Sequence, residues 1–203
     1  MKLQKNTILV IASHNLGKVA EIRELFKEFP LMIKDANEFD LKEPEETGTT
    51  FAENALIKAR AVVAATGHTA ISDDSGLVVF ALQGEPGIFS ARWALDAKDF
   101  NFGIAQIEKK LKEAGTTDFT AKFVCALALC APNGEEEIVE GEVFGRLVFP
   151  ARGTKGFGYD PIFIADGMMQ TYGEIESKLK DRINHRAVAF DKLKKLFSVN
   201  ESS

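Results

Sequence analysis

The sequence of 203 residues predicts an α/β protein with a mixed central β-sheet flanked by helices. Two observations support this prediction. Strand-like and helix-like segments alternate through the first half of the chain, as they do where helices connect parallel strands. A hairpin signal, Asn133-Gly134 between two β-rich runs, then adds antiparallel strands. The length suits one α/β domain over residues 1–203, or two lobes that share a cleft.

The first half of the chain predicts a strand followed by two helices. Residues 7–12, Thr-Ile-Leu-Val-Ile-Ala, form a continuous β-rich run, which is typical of a strand buried on both faces. A helical stripe of apolar residues begins after Lys18 and ends before Pro30. Thr50 and Glu53 have the spacing of a capping box, so they predict the start of a second helix.

Acidic and small residues interrupt the next apolar segment. Asp73-Asp74-Ser75-Gly76 lies between two strand-like pieces, residues 70–72 and 77–80, and is predicted to separate them. The remaining predicted elements are a helix marked by Ile104, Ile107 and Leu111, strands over residues 119–131, 137–144 and 159–165, and a C-terminal helix marked by Ala189, Leu193, Leu196 and Phe197.

Composition and charge exclude several classes of protein. Apolar residues at 45% and charged residues at 27% exclude disordered, collagen-like and coiled-coil chains. A net charge of −5 argues against a dedicated binder of duplex DNA, but a triphosphate needs only a few local cations and a metal. No apolar run approaches the roughly 20 residues of a membrane span. The N-terminus has no signal-peptide pattern, so we expect a cytoplasmic protein with no membrane or nucleic-acid partner.

The two cysteines, Cys125 and Cys130, are predicted to be core residues. They lack the C-x-x-C spacing and the nearby histidine of a zinc site. A separation of five residues places them on opposite faces of a strand, which disfavours a disulfide between them.

The loop that follows the first strand is a candidate phosphate site. It reads Ser13-His14-Asn15-Leu16-Gly17-Lys18 and leads into the first helix. A helix N-terminus offers unpaired N–H groups and partial positive charge, and a lysine adds a full charge. Val19 follows Gly17-Lys18, so the loop is not a Walker loop. An ordinary strand-to-helix turn would look the same.

Asp73 and Asp74 are the strongest candidates for metal chemistry. Two adjacent acids between apolar runs place like charges close together, which is unfavourable unless a cation lies near them. Mg²⁺ prefers one or two such carboxylates together with substrate phosphates. In an extended chain the two side chains point to opposite sides, so one carboxylate is expected to face the metal. An exposed polar turn is the alternative.

Three further segments could contact a nucleotide. The oxygen-rich run of residues 45–54 precedes Lys58, which could present a second cation to a phosphate chain or lie on a solvated helix face. Residues 155–161, Lys-Gly-Phe-Gly-Tyr-Asp-Pro, combine backbone freedom with rings that could stack on a base or fold onto the core. A group of hydrogen-bond donors, Lys180, His185 and Arg186, would favour a keto oxygen over an exocyclic amine as partner. The alternative is that these side chains lie on the surface and have no binding role.

Taken in order, these segments resemble the inosine triphosphate pyrophosphatase family. The matching blocks are SHNLGK at 13–18, EETGTTFAENA at 45–55, DDSGL at 73–77, PGIFSAR at 86–92, GFGYDP at 156–161 and HR at 185–186. The resemblance implies a Mg²⁺-dependent homodimer with two α/β lobes around a substrate cleft. It also implies hydrolysis of ITP, dITP and XTP to the monophosphate and pyrophosphate, which cleanses the nucleotide pool.

The resemblance implies a role for each matching residue. Asp74 is expected to be the general base and a metal ligand, and Glu45 a second metal contact. Phosphates or ribose are expected to contact Ser13, His14, Asn15, Leu16, Gly17, Lys18, Lys58 and Ser75. The nucleoside is expected to contact Phe157, Gly158, Tyr159 and Asp160, with the Phe157 ring on the base, and the 6-keto group to contact Lys180, His185 and Arg186.

The expected mechanism is in-line attack of a metal-activated water on the α-phosphorus, with Asp74 accepting the proton of that water. Two other functions stay open. One is a pyrophosphatase for modified pyrimidine triphosphates. The other is a sensor that binds a triphosphate without cleaving it, although a binder gains little from paired acids beside phosphate.

Overall fold

The computed structural model describes residues 1–94 and 100–200 and confirms a mixed α/β fold. Its strands and helices are, in chain order, β1 (Lys2–Gln4), β2 (Ile8–Ile11), α1 (Leu16–Phe26), β3 (Met32–Asp35), α2 (Phe51–Thr66), β4 (Thr69–Val79), α3 (Phe100–Glu113), β5 (Thr120–Cys130), β6 (Glu136–Leu147), β7 (Phe163–Ala165), α4 (Ser177–Ile183), α5 (His185–Leu193) and β8 (Ser198–Asn200). In this part of the chain, no helix is both long and apolar enough to cross a membrane.

Six strands form the main sheet, in the order β3-β2-β4-β5-β6-β7. Strand β2 runs parallel to β3, with Leu9 opposite Ile33, and parallel to β4, with Leu9 opposite Thr69. Strands β6 and β7 are antiparallel, with Gly145 opposite Ala165. The sheet is therefore mixed, as the sequence predicts. A separate pair of parallel strands, β1 and β8, joins the two ends of the described chain.

The chain divides into two compact units. The first unit comprises Met1–Asp74, Cys125–Gly141 and the chain from Arg186 onward, and the second comprises Ser75–Val124 and Glu142–His185. Strands β4, β5 and β6 contribute residues to both units. The expectation that two lobes flank a substrate cleft stays a prediction.

The first unit is a sheet with helices on both faces. Leu9 and Ile11 of β2 belong to the apolar cluster that includes residues of α1 and α5. Val10 and Ala12 belong to a second cluster, which includes residues of α2. Successive residues of a strand point to opposite faces, so the continuous apolar run of residues 7–12 is explained by cover on both sides. Cys125 lies in the first cluster and Cys130 in the second, and both are free thiols, as predicted.

The second unit has its own core, in which aromatic rings pack on the sheet. The rings of Phe123 and Phe163 meet edge-on with centroids 4.6 Å apart, and the ring of Tyr172 stacks on Phe123 at 6.1 Å. Ile104, Ile107 and Leu111 of α3 join the same cluster. The predicted helical stripe of α3 is therefore confirmed.

The predicted separation of two strands at residues 73–76 is wrong, and so is the alternative of an exposed turn, because β4 runs without a break from Thr69 to Val79. Asp and Ser favour turns where their side chains are exposed to water and have no partner elsewhere in the chain. Here Asp73 has the buried Arg186 as a partner and Asp74 has the buried Lys58, so tertiary contacts outweigh local preference.

Several predicted boundaries also differ. Helix α1 begins at Leu16, two residues before the predicted start, because Asn15 caps it. The strand predicted over residues 159–165 is only β7, preceded by a single 3₁₀ turn at Asp160–Ile162 that contains Pro161. Thr50 caps α2 as predicted, but the Glu53 carboxylate accepts hydrogen bonds from Thr49 instead of completing a capping box. Helix α4 was not predicted.

Candidate active site

The loop between β2 and α1 is held by its own side chains. The Asn15 side chain accepts hydrogen bonds from the backbone N–H groups of Gly17 at 3.0 Å and Lys18 at 3.2 Å. Ser13 Oγ accepts one from the Asn15 N–H at 3.2 Å. These are among the donors that a helix start leaves unpaired. A phosphate at this loop would therefore displace the Asn15 side chain or use other donors.

Two other side chains of this loop behave differently. His14 Nε2 donates a hydrogen bond to the Leu41 carbonyl at 2.8 Å, which ties the loop to the segment before the acid-rich run of residues 45–54. Leu16 is 75% exposed, although it is the first residue of α1. Of the two predicted substrate contacts, the His14 side chain is thus anchored to the protein and the Leu16 side chain faces solvent.

Asp73 is the centre of a buried cluster of charges. Its Oδ1 lies 2.5 Å from Lys18 Nζ, and its Oδ2 accepts hydrogen bonds from Arg186 Nε and from the Cys125 thiol, both at 2.9 Å. Arg186 also pairs with Glu21 on α1. Burial favours the neutral acid, but the charges of Arg186 and Lys18 hold the pKa of Asp73 well below its ordinary value. Asp73 is therefore an ionised structural centre.

Asp74 follows on β4 and contacts a different set of side chains, as strand alternation predicts. Its Oδ1 accepts a hydrogen bond from Lys58 Nζ at 2.8 Å. Its Oδ2 is buried and has no hydrogen-bond partner among residues 1–94 and 100–200. Burial raises the pKa of Asp74, and the charges of Lys58 and Lys18 oppose that rise only in part. Asp74 thus has a raised pKa, and its Oδ2 has no hydrogen-bond partner among the described residues.

Lys58 joins two acids. Its Nζ lies 2.6 Å from Glu46 Oε1 and 2.8 Å from Asp74 Oδ1, and only 4% of the residue is exposed. Burial lowers the pKa of Lys58, but the charges of Asp74 and Glu46 outweigh it, so the net pKa is raised and the lysine stays charged. The alternative of a solvated helix face is therefore wrong for Lys58.

The two adjacent glutamates of the acid-rich run, Glu45 and Glu46, have different surroundings. Glu46 reaches Lys58, whereas Glu45 is exposed. Asn54 Oδ1 accepts a hydrogen bond from the Gly48 N–H at 2.9 Å, which fixes the run on the start of α2. The sequence prediction missed Glu46, because two adjacent glutamates in a loop carry no signal that distinguishes them. The metal contact expected at Glu45 stays a prediction.

The second unit holds a cluster built on Asp160 and Lys180. Asp160 Oδ2 lies 2.5 Å from Lys180 Nζ and accepts a hydrogen bond from the Phe157 N–H at 2.8 Å. Lys180 Nζ also lies 4.4 Å from the centre of the Phe157 ring, a cation–π distance. Lys180 belongs to α4, so the unpredicted helix carries a predicted site residue. Three of the predicted nucleoside contacts are thus brought together.

Gly156 sets how closely the chain can approach Asp160. Its φ is +71°, and a Cβ built there would lie 2.1 Å from Asp160 Oδ2. Only glycine relieves both restraints. The Phe157 ring is half-buried, and Gly158 follows with φ of +68°. The aromatic loop is therefore shaped by its glycines around one carboxylate.

Of the remaining predicted contacts, Tyr159, His185 and Ser75 lie in the second unit and Arg186 lies in the first. Tyr159 is buried and its hydroxyl donates to the Ser90 carbonyl at 2.8 Å, so it supports the core. The His185 ring stacks on Phe123 with centroids 4.8 Å apart. Ser75 is half-buried at the next position of β4 after Asp74. Arg186, which follows His185 in sequence, belongs to the first unit and contacts the acids there.

No group of three or more His, Cys, Asp or Glu side chains within the described ranges could hold a metal ion by itself. Mg²⁺ does not need such a group, since it is usually held by one or two carboxylates, water and substrate phosphates. The unpartnered Oδ2 of Asp74 fits that donor set. The residues around Asp74 can therefore accept a hard cation once phosphate oxygens are supplied.

Comparison with known proteins gives consistent matches along the chain. A dITP/XTP pyrophosphatase of Caulobacter vibrioides is 52% identical over 186 residues, which cover 92% of this chain and 95% of that protein. A dITP/XTP pyrophosphatase of Zymomonas mobilis is 50% identical, over 91% of this chain and 89% of that protein. The structure of a HAM1 protein from Coxiella burnetii superposes with a TM-score of 0.85 at 37% identity, covering 94% and 98% of the two chains. The model of the Ham1 family matches residues 9–196, and the chain belongs to that family.

Proposed function

We propose that this protein hydrolyses dITP, ITP and XTP to the nucleoside monophosphate and pyrophosphate. This is the reaction that the resemblance in the sequence implies. The names of its relatives support this reaction class. The observation that carries the proposal is Asp74, a buried carboxylate with a raised pKa, one oxygen on a buried lysine and the other without a partner among the described residues.

Asp74 is proposed to act as the general base. A carboxylate that accepts a proton at neutral pH works better when its pKa lies above the ordinary value, because its affinity for the proton is then higher. Lys58 keeps Oδ1 in place and limits the rise in the pKa of Asp74. The spare Oδ2 is left to face a water molecule or a cation.

Mg²⁺ is proposed as the cofactor, held by Asp74 together with Glu45 or Glu46 and the phosphates of the substrate. When bound, the ion supplies Lewis-acid stabilisation of charge on the phosphoryl oxygens. Lys18 and Lys58 are the buried or mostly buried cations of this unit that are proposed to neutralise the phosphates. Both lysines already have acidic partners, Asp73 for Lys18 and Asp74 and Glu46 for Lys58. The phosphates of a bound triphosphate are therefore expected to compete with these carboxylates for the two ammonium groups.

Recognition of the base is proposed for the second unit. The half-buried Phe157 ring would stack on the purine. Lys180 and His185 would contact the 6-keto group, because a donor facing a keto oxygen is satisfied and a donor facing an amine is not. Arg186 shares this role by resemblance. Gly158, Tyr159 and Asp160 would shape the loop around the nucleoside.

The decisive test is pyrophosphate release from a panel of dITP, ITP, XTP, dGTP, dATP and modified pyrimidine triphosphates, with and without EDTA. We expect release from the first three, dependent on Mg²⁺. Preference for a pyrimidine, or binding without release, would contradict the proposal and favour one of the two alternatives. Asp74→Asn is expected to lower kcat by at least about 100-fold. The exposed Asp191 provides a matched control, and Asp191→Asn should behave as wild type.

A second pair of variants identifies the other acid at the metal. Glu45→Gln and Glu46→Gln make the same chemical change at adjacent positions, one exposed and one bound to Lys58. The variant that raises the Mg²⁺ concentration needed for half-maximal activity identifies the ligand. The homodimer and the cytoplasmic location implied by the resemblance stay predictions; sedimentation of the purified protein tests the first.

A further inference from the structure

The loop that carries Phe157 is closed at its two ends by a main-chain hydrogen bond. The Arg152 N–H donates to the Pro161 carbonyl at 2.8 Å. We call residues 152–161 the nucleoside loop and the Arg152–Pro161 pair its neck. Residues 153–156 form an exposed part of this loop, and exposed loop segments are the parts of a fold that move most easily. The place of the Phe157 ring therefore depends on what holds the neck.

A second segment of the chain contacts both sides of the neck. The Thr171 hydroxyl donates a hydrogen bond to the Arg152 carbonyl at 2.7 Å, and Thr171 is fully buried. Two residues further on, the Gly173 N–H donates to the Asp160 carbonyl at 3.0 Å, and the Gly173 carbonyl accepts from the Lys155 N–H at 2.9 Å. The beginning and the end of the nucleoside loop are thus bound to the same short segment.

Two glycines face each other where this segment crosses the loop. A Cβ on Gly153, which has a φ of +85°, would lie 2.0 Å from the Gly173 carbonyl oxygen. A Cβ on Gly173 would lie 2.8 Å from the Arg152 carbonyl oxygen. Side chains at either position would force the two backbones apart. The crossing therefore requires close contact between main chains, and the Thr171 hydrogen bond lies beside it.

The same segment continues into α4 and reaches the other end of the nucleoside loop. Lys180 Nζ lies 2.5 Å from Asp160 Oδ2 and 4.4 Å from the centre of the Phe157 ring. The chain from Thr171 to Lys180 therefore contacts the loop both at its neck and beside its aromatic ring. A shift of the neck would change the distance between the ring and the ammonium group, and small misplacements of binding groups are costly.

We propose that Thr171 is a positioning residue for recognition of the purine. Its hydroxyl, together with the crossing of Gly153 and Gly173, keeps the nucleoside loop closed before the substrate binds. The base then meets Phe157 and Lys180 at a fixed distance, and binding does not have to order the loop. This inference rests on the proposed function in one respect, that Phe157 and Lys180 contact the base. Thr171 is not among the residues to which the resemblance assigns a role.

The first test removes the hydroxyl and restores it, with affinity for inosine monophosphate measured by calorimetry on the full-length protein. Thr171→Val keeps the shape but loses the donor. Its affinity is expected to fall by about three- to ten-fold, because part of the binding energy then closes the loop. Thr171→Ser keeps the hydroxyl and should bind within about two-fold of wild type. Thr66→Val removes a hydroxyl that donates to the Val62 carbonyl in α2, so it is the matched control and should bind as wild type.

The second test changes the crossing itself. Gly153→Ala brings a Cβ onto the Gly173 carbonyl and is expected to weaken binding of inosine monophosphate. Gly167→Ala is the matched control, because Gly167 has a similar φ of +80° and no described atom within 4 Å of the new Cβ. It should bind as wild type. Both glycines are exposed, so the two variants decide the matter even if Thr171→Val does not fold.

A ligand without a base separates positioning from a general loss of structure. The affinity of inorganic tripolyphosphate with Mg²⁺ should be the same in wild type, Thr171→Val and Gly153→Ala. With dITP as substrate, KM should rise in both variants while kcat stays within about two-fold of wild type, since the change affects binding of the base alone. If the wild type does not bind tripolyphosphate, kcat serves as the measure that does not depend on the base.

Several results would overturn the inference. One is wild-type affinity for inosine monophosphate in Thr171→Val and Gly153→Ala, and another is a wild type that does not bind inosine monophosphate. Equal losses for inosine monophosphate and tripolyphosphate, or a fall in kcat at constant KM, would show a merely structural role and would also overturn it. If the affinities change as expected but the wild type releases no pyrophosphate from dITP or XTP, the proposed function alone fails.

Discussion

Adjacent acids on β4 are expected to have opposite effects on stability when each loses its charge. Asp73→Asn removes the carboxylate that the buried Arg186 and the half-buried Lys18 share. Removal of one partner from a buried ion pair typically costs about 3–5 kcal/mol. For a chain of this size, 3 kcal/mol corresponds to a fall in Tm of roughly 6–12 °C. Asp73→Asn is therefore expected to be strongly destabilising at pH 7.

Asp74→Asn is expected to leave the Tm unchanged or to raise it. Because burial raises the pKa of Asp74, the folded state binds this proton more tightly than the unfolded state does. Stability is then lost as pH rises through the interval between the two pKa values, and a neutral amide escapes that loss. Lys58 loses one acid but keeps Glu46. A gain in stability with a loss of function is common where an active site holds an unfavourable charge.

The pH dependence distinguishes the two positions further. The pKa of Asp73 is lowered in the folded state, so its contribution to stability is present above the unfolded value of about 3.9 and disappears as pH falls through the lower folded value. The difference in Tm between wild type and Asp73→Asn should therefore shrink below about pH 4. For Asp74→Asn any gain in Tm should likewise shrink as pH falls through the raised folded pKa, because the protonated acid is then as neutral as the amide.

The assay is thermal unfolding followed by far-UV circular dichroism, with urea unfolding as a second measure. Metal is removed with EDTA, since an ion that binds only the folded state would add its own stabilisation. Equal destabilisation by the two substitutions would refute the assignment of opposite electrostatic roles. So would a loss below about 1 kcal/mol for Asp73→Asn, because that is the range of an exposed ion pair.

Three further predictions follow from the described contacts. Since Asp74 must be ionised to act as a base, kcat should fall on the acid side at a pH above the ordinary aspartate pKa of 3.8, and Lys58→Met should move that fall to higher pH in the measured pH–rate profile. Gly156→Ala forces a Cβ to within 2.1 Å of Asp160 Oδ2 and should lower the free energy of unfolding and raise KM for dITP, whereas Gly134→Ala, with φ of +89° and no atom within 4 Å of the new Cβ, carries the backbone strain alone. Lys180→Met keeps an apolar stem but no donor, and should lower the kcat/KM ratio of dITP over dATP by about ten-fold or more, with steady-state kinetics as the check.

The parts of the fold that were predicted from sequence are those in which local pattern and burial agree. The apolar run at residues 7–12 predicts β2 because helices cover both faces of that strand. The Asn133-Gly134 turn predicts the hairpin of β5 and β6, and Gly134 has the positive φ of +89° that such turns require. Helix α3 follows from its regular apolar stripe. In each case the signal lies within a few residues of the element that it predicts.

Prediction failed where distant charges decide the structure. The sequence around Asp73-Asp74 predicts a break between two strands, because the partners of the two acids, Lys18 and Lys58, are 55 and 16 residues away in sequence. Helix α4 has only 7 residues, and Leu179 and Ile183 are its only large apolar residues, so the apolar stripe is too short to indicate a helix. Glu45 and Glu46 are the same residue type, and only their side-chain directions differ: Glu46 contacts Lys58 and Glu45 is exposed. The sequence carries no signal for that difference. Candidate residues such as Asp74 could thus be chosen by chemistry, but their partners required the folded chain.

The buried thiols have a practical consequence for handling and for chemical tolerance. Cys125 is wholly enclosed beside the Asp73 carboxylate, which together with burial raises the pKa of its thiol, and burial raises that of Cys130 to about 12. Alkylating agents and peroxide react with thiolates, and neither sulfur forms one at neutral pH. The folded protein should therefore need no reductant during storage, and covalent reagents aimed at cysteine should leave it untouched until it unfolds.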